Sequence, residues 1–201
     1  MTISESKEVL FSYTYADNNE LDLSNTNRDH RLIRTNDLTT SGNPAGFIQW
    51  GQFYNSYRVH DIEMNVTFTN NSDTPVYVGI ALFPFGLFTL PGGFSYNRFR
   101  QFPTNNFPNK QMLLSGKNGS NNSVKFSIQA DCETLIGNSN QFDAQVNFSG
   151  NFITGPINFL TAAIYCLNNE NVPAPLGTSI TFSMLNKYHT TLFQQKLLIG
   201  A

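Results

Sequence analysis

The chain has 201 residues, a net charge of −2 and only 13% charged residues, against roughly 25% in ordinary globular proteins. This charge gives no sign of a nucleic-acid partner. No apolar run is long enough to cross a membrane or, at the N terminus, to act as a signal peptide. Asparagine occurs 26 times, which favours turns. We expect either a loop-rich β protein or one whose exterior is covered by copies of itself.

Strand alternation dominates the sequence, and helical periodicity is nearly absent. One-sided strands are predicted, in chain order, at 9–15, 62–68, 124–130, 142–148 and 180–184, with weaker ones at 30–35, 111–115 and 190–198. Two runs, 76–83 and 159–167, are apolar on both faces, which predicts strands between two layers or under another subunit. A short helical turn is predicted at 131–136. About eight to ten strands indicate one all-β sandwich domain over 1–201.

The strand that runs from the mid-fifties to Asn70 changes phase along its length. Tyr57 and Val59 are apolar at odd positions, whereas Ile62 and Met64 are apolar at even ones. A shift of one residue turns every core side chain to the other face of a strand. We therefore predict a β-bulge near His60–Asp61, where one extra residue restores the phase.

The segment 84–110 does not show the alternation of a strand. It combines six phenylalanines with four prolines, and loops of this length are uncommon in a compact domain unless they have a function. Exposed apolar loops usually form contact surfaces. We predict a subunit interface made by Phe85, Phe88, Phe94, Arg98, Phe99, Arg100, Phe102 and Phe107. The alternative is a lid of phenylalanine side chains over the chain's own sheet.

The usual catalytic and metal-binding motifs are missing from the sequence. Cys132 and Cys166 lack ligand spacing, and we expect them to be buried free thiols. Asp61 and Glu63 share one strand face, where they form a polar outer surface or an interface pair. A calcium site between subunits would need further oxygen ligands that nothing in the sequence supplies. We expect no enzymatic activity and no cofactor.

Arginines clustered in the first third of the chain suggest a surface for nucleic acid. Basic side chains interleaved with aromatic ones can bind phosphates and stack on bases. We predict a nucleic-acid-facing surface made by Arg28, His30, Arg31, Arg34 and Arg58. Each arginine could instead pair with a carboxylate of its own chain or of a neighbouring subunit.

The run 32–70 resembles the N-terminal half of capsid proteins of small circular Rep-encoding single-stranded DNA viruses. The resemblance lies in Asn36-Asp37 and an alternating strand ending at Asn70, and between them in Pro44, Gly46, Trp50, Tyr54, Tyr57 and Val59. It implies a single jelly roll of two four-stranded antiparallel sheets. It also implies a T=1 icosahedral shell of about sixty copies around circular single-stranded DNA. Such a protein belongs to the virion, is assembled inside the host cell and meets a host receptor.

The N terminus departs from this family, whose members usually begin with a long arginine- and lysine-rich arm. This sequence begins Met1-Thr2-Ile3-Ser4. We expect either that a basic arm lies upstream of Met1 or that the lineage packages its genome differently. The alternative to a shell protein is a binding module, such as a trimeric tumour-necrosis-factor-like or lectin-type sandwich. Aromatic loops and five N-x-S/T sequons favour it, and the missing signal peptide argues against it.

Overall fold

A computed structural model describes residues 6–15, 19–39, 43–84, 95–104, 107–136 and 149–196. Its strands are β1 (Lys7–Tyr15), β2 (Glu20–Asp22), β3 (Arg28–Arg34), β4 (Tyr54–Asn70), β5 (Val76–Pro84), β6 (Asn109–Leu114), β7 (Ser123–Asp131), β8 (Ser149–Asn151), β9 (Leu160–Asn168) and β10 (Ser179–Gln195). Its helices are α1 (Phe47–Trp50), α2 (Tyr96–Gln101) with a 3-10 turn at Phe102–Thr104, and α3 (Cys132–Ile136). The predicted strand at 142–148 lies outside the described residues. Within the described ranges, no helix is long and apolar enough to span a membrane.

The strands form two antiparallel sheets. Sheet A has the order β1-β10-β4-β7, with short strands β2 and β8 added beside β10 and β4, and sheet B has the order β3-β9-β5-β6. Apart from β5 and β6, strands that are neighbours in these orders are not consecutive in the chain, as in a jelly roll. This confirms the predicted all-β jelly-roll sandwich. Sheet A differs from the predicted four strands by β2 and β8. The predicted weak strand at 190–198 is not separate, because β10 runs unbroken from Ser179 to Gln195.

The core lies between the two sheets. Every even-numbered residue of β10 from Ile180 to Leu192 is buried, whereas most of the odd-numbered ones are exposed. Each large apolar side chain removed from water in this way contributes roughly 1.5–3 kcal/mol. Both cysteines, Cys132 and Cys166, are buried and are not joined by a disulfide.

The predicted bulge in β4 is confirmed. Val59 pairs with Thr190 of β10 and Asp61 pairs with His189, so β4 accommodates one extra residue, His60, between adjacent pairs. Tyr57 and Val59 consequently face the same core as the even-numbered residues beyond the bulge.

A third layer covers the outer face of sheet B. Residues 95–104 and 107 pack on β5 and β9, which explains why both strands are buried on both faces. Of the two arrangements predicted for these strands, the structure shows the one between two layers, and the second layer comes from the same chain. The predicted helical turn at 131–136 is confirmed as α3.

Candidate assembly and nucleic-acid interfaces

Two of the phenylalanines predicted to form a subunit interface are buried within the chain. Phe99 stacks on Tyr165 with ring centroids 4.7 Å apart, and Phe102 stacks on Phe83 at 5.9 Å. Their exposed fractions are 0% and 1%. This part of the segment follows the alternative interpretation, a lid over the chain's own sheet, because the outer face of β9 is itself apolar and would otherwise meet water.

The other members of that predicted interface lie in different environments. Phe107 is half-buried beside the same cluster. Arg100 is exposed, and its guanidinium carbon lies 4.1 Å from the centroid of the Tyr77 ring. The predicted interface residues that lie outside the described part of the chain are Phe85, Phe88, Phe94 and the side chain of Arg98.

The Asn-Asp motif that opens the family resemblance forms a buried polar junction. Asn36 accepts a hydrogen bond from the backbone N–H of Leu160, and Asp37 accepts one from the backbone N–H of Thr39. The Tyr57 hydroxyl accepts a hydrogen bond from the Leu38 backbone N–H. Burial, followed by the charge of Asp37, raises the pKa of Tyr57 well above its usual value. The junction ties β3, β9 and β4 together at one end of the sandwich.

The remaining motif residues build the same end of the sandwich. Gly46 precedes α1 with φ at 83°, a left-handed conformation that glycine adopts without a steric penalty. Pro44 accepts a hydrogen bond from the Phe47 backbone N–H. The ring centroids of Trp50 and Tyr54 lie 5.9 Å apart. The motif residues therefore contribute to the structure of this end of the sandwich.

The predicted nucleic-acid-facing residues do not form one surface. Along β3, Arg28, His30 and Arg34 have the opposite phase to the core residue Ile33, so they lie on the outer side of sheet B. Arg31 has the inward phase at the sheet edge, where it pairs with Asp29 at 3.3 Å and donates to the Glu20 carbonyl. Arg58 lies on β4, on the outer side of sheet A. The two outer sides face in opposite directions because the sheets pack face to face.

Among the predicted nucleic-acid-facing residues, His30 is half-buried against the third layer. Its ring centroid lies 5.3 Å from that of Phe99 in the third layer. Burial lowers the pKa of His30, and the positive charges of Arg28 and Arg31 lower it further, whereas Asp29 acts in the opposite direction. The imidazole is therefore held in its neutral form more strongly than in an unfolded chain.

The carboxylate of Glu63, on the outer side of sheet A, is bound by two neighbouring side chains. Glu63 accepts hydrogen bonds from Asn65 at 2.8 Å and from Lys187 at 3.1 Å. These contacts, Asn65 first, lower the pKa of Glu63. Among the described residues, no group of three histidine, cysteine or acidic side chains could hold a metal ion. The bulge borders a shallow depression of about 520 Å³ lined by Glu8, Val9, Leu10, His60, Asp61, His189, Thr190 and Thr191.

Exposed apolar side chains gather at the end of the sandwich where β4 begins. Ile48, Phe53 and Ile153 have exposed fractions of 62%, 41% and 88%, and we call them the end surface. Ile48 and Ile153 border a depression of about 590 Å³ whose floor includes Tyr54 and Phe152. Sequence reasoning missed this surface, since isolated isoleucines in polar loops carry no pattern that would mark them.

The order of the strands in the two sheets is that of a single jelly roll, a fold found among viral capsid and lectin domains. No family model and no curated protein matches the sequence. Among solved structures, that of Mud crab tombus-like virus is similar over 98% of this chain and 92% of its own, with a TM-score of 0.57 at 9% identity. A semi-empty virus-like particle of Macrobrachium rosenbergii nodavirus is similar over 100% and 88%, with a TM-score of 0.53 at 10% identity.

A decameric BFDV capsid protein is also similar, over 94% of this chain and 100% of its own, at 9% identity. Its TM-score of 0.44 is too low to bear on the type of virus. At identities near 10%, these likenesses establish the fold and nothing finer.

Proposed function

We propose that this chain is a viral capsid protein whose copies assemble into an icosahedral shell. The observation that supports this most strongly is the similarity of its jelly roll, over nearly the whole chain, to subunits of virus particles. The role is structural rather than catalytic. The partners are other copies of the chain, the viral nucleic acid and a receptor on the host, and the place of the protein is the virion, assembled inside the host cell.

The finer proposal is a T=1 shell of about sixty copies around circular single-stranded DNA. Its support is the resemblance of the run 32–70 to capsid proteins of small circular Rep-encoding single-stranded DNA viruses. Electron microscopy of the purified chain tests the shell, and the particle diameter reports the number of copies. Uniform small particles are expected. A chain that stays monomeric at high concentration over a wide range of salt would refute the shell, and a compact trimer would favour the binding module.

The type of genome has its own test. Particles assembled in an equimolar mixture of circular single-stranded DNA and single-stranded RNA of equal length should retain mainly DNA, measured by nuclease digestion after purification. Retention of RNA in excess would contradict the DNA proposal and leave the shell intact.

We propose that the end surface is buried between copies in the shell. Isolated exposed isoleucines are ordinary, but Ile48 and Ile153 border one depression and the exposed Phe53 adjoins its lining residue Tyr54 in the chain. Exposed apolar side chains grouped in this way are typical of a contact surface. Ile153→Asp should abolish particles and leave the melting temperature within about 2 °C, because a side chain that is 88% exposed contributes little to the fold. Leu176→Asp, at an 81% exposed site at the opposite end of β10, is the matched control. If both variants assemble normally, the end surface is not a contact between copies.

A further inference from the structure

Acidic residues are absent from the middle of the chain. Residues 74–130 contain no aspartate or glutamate, and their charged residues are all basic: Arg98, Arg100, Lys110, Lys117 and Lys125. An ordinary surface mixes both signs of charge. Of these residues, Arg98 and Arg100 belong to α2 in the third layer over sheet B, whereas Lys125 lies on β7 in sheet A.

The positive charge collects on one side of the sandwich. We call the outward-facing positions of β3, β9, β5 and β6, together with residues 95–104 and 107–108, the outer layer. Its described positions include no acidic residue, and their charged members are four arginines, which lie beside the neutral His30: Arg28, Arg34, Arg98 and Arg100. The nearby acids lie off this layer: Asp29 has the inward phase on β3, Asp37 follows β3 in the buried junction, and Glu170 follows β9 in a turn.

The opposite side of the molecule has a different balance. The outward positions of β1, β10, β4 and β7 carry four acidic and three basic residues, which gives 3 − 4 = −1 without the histidines: Glu8, Asp61, Glu63, Asp131, Arg58, Lys125 and Lys187. A polyanion is therefore attracted to the outer layer and not to the outer face of sheet A.

Two guanidinium groups of the outer layer are stacked on aromatic rings. Arg100 lies over Tyr77 at 4.1 Å, and Arg34 lies over Phe159 at 4.3 Å. Arg34 also approaches Asp37 at 3.7 Å, yet its side chain remains 51% exposed. A ring beneath a planar guanidinium restricts its motion, so less entropy is lost when the group binds a phosphate or stacks on a base.

The register of sheet B sets the size of the basic area. Arg28, Leu167 and Tyr77 lie in one row across the sheet, and Arg34 lies six residues further along β3. At about 3.3 Å per residue, the two rows are roughly 20 Å apart. Several phosphates of one strand fit into that length.

We propose that the outer layer binds single-stranded nucleic acid, with Arg28, Arg34 and Arg100 contacting phosphates and the stacked guanidiniums accepting bases. The biological ligand, a packaged genome, rests on the proposed function, whereas the binding itself does not. The assignment adds Arg100 to the residues predicted from the sequence. It leaves out Arg31, which pairs with Asp29 at the edge of the sheet, and Arg58, which lies on the opposite side of the molecule.

Fluorescence anisotropy with a labelled 20-nucleotide oligothymidylate tests this surface. The triple variant R28Q/R34Q/R100Q should bind at least tenfold more weakly than the natural chain at 50 mM salt. The slope of log affinity against log salt should fall by about 2, since each phosphate contact on a single strand contributes roughly 0.7. The matched control R58Q/K125Q/K187Q removes the same charge from sheet A and should bind within twofold of the natural chain. Melting temperatures establish that both variants are folded.

Equal binding by the triple variant and the natural chain would overturn the assignment, as would an equal loss in the control. If the triple variant binds normally but no longer forms particles, the outer layer is a contact between copies, which also overturns it. R100K keeps the charge and loses the planar stack, so weaker binding by this variant supports the stacking role. Particle formation is scored separately by electron microscopy, so DNA binding without particles contradicts only the proposed function.

Discussion

Replacing Gly79 with alanine tests whether the third layer is packed as tightly as the structure shows. A Cβ atom at this position would overlap Cζ and Oη of Tyr165 and would lie 2.9 Å from the Lys110 carbonyl oxygen. The Tyr165 ring is fully buried beneath Phe99, and its hydroxyl lies 3.3 Å from Nε2 of Gln111. The ring has no open space into which it can move, so the third layer must shift with it.

The expected cost follows from two effects. Overpacking a filled core costs typically about 1–3 kcal/mol, and loss of the bond from Gln111 to Tyr165 adds about 1 kcal/mol. A total of about 3 kcal/mol corresponds to a fall in melting temperature of about 6–12 °C for a chain of this size. Differential scanning calorimetry of Gly79→Ala measures the fall, and Gln111→Ala, which removes only the hydrogen bond, is the control.

A double-mutant cycle makes the prediction specific to the ring. Gly79→Ala combined with Tyr165→Leu should cost less than the sum of the two single changes, because the smaller side chain makes room for the new methyl group. A melting temperature for Gly79→Ala within 1 °C of the natural chain, or strict additivity in the cycle, would refute the tight packing of this layer.

Four further predictions concern the junction, the bulge and the third layer. Tyr57→Phe should destabilise the fold by about 1–3 kcal/mol in chemical denaturation, because it removes the acceptor of the buried Leu38 N–H; an unchanged midpoint would contradict this. Deleting His60 should abolish folding, since Tyr57 and Val59 would turn to solvent, whereas His60→Ala should keep the native circular dichroism spectrum. Burial of neutral His30 stabilises the fold above its unfolded pKa of 6.5, and this stability is lost as pH falls below that value; His30→Leu should therefore lose less melting temperature between pH 7.5 and 5.5 than the natural chain, and equal losses would argue against it. Phe102→Ala should cost about 3–5 kcal/mol, and a variant of unchanged stability that no longer assembles would restore Phe102 to the predicted interface.

Much of the fold could be predicted from the sequence because alternation reports burial directly. The strands from Val9, Val124 and Ile180 onward were visible for this reason, and the phase change at His60 gave the bulge. The helix α2 was not visible, since its six residues contain two arginines and give no helical period. The sequence also predicted separate strands at 180–184 and 190–198, whereas β10 runs through both regions without a break.

The candidate site was less predictable than the fold. The sequence marked Phe99 and Phe102 as apolar residues in a loop, but it carried no information on whether their own sheet or a neighbouring copy covers them. Likewise, the sequence shows that Arg28 and Arg58 are both basic, but not on which side of the molecule each one lies. Only the strand register and the sheet order place them on opposite sides of the molecule.

The sequence by itself determined the all-β class, the phase of most strands and the position of the bulge, because these depend on residues that are close along the chain. Tertiary structure alone decided which strands are neighbours, which apolar loop residues are buried, and how the arginines divide between two faces. These properties depend on contacts between residues far apart in sequence, as between β1 and β10, and no local pattern records such a contact.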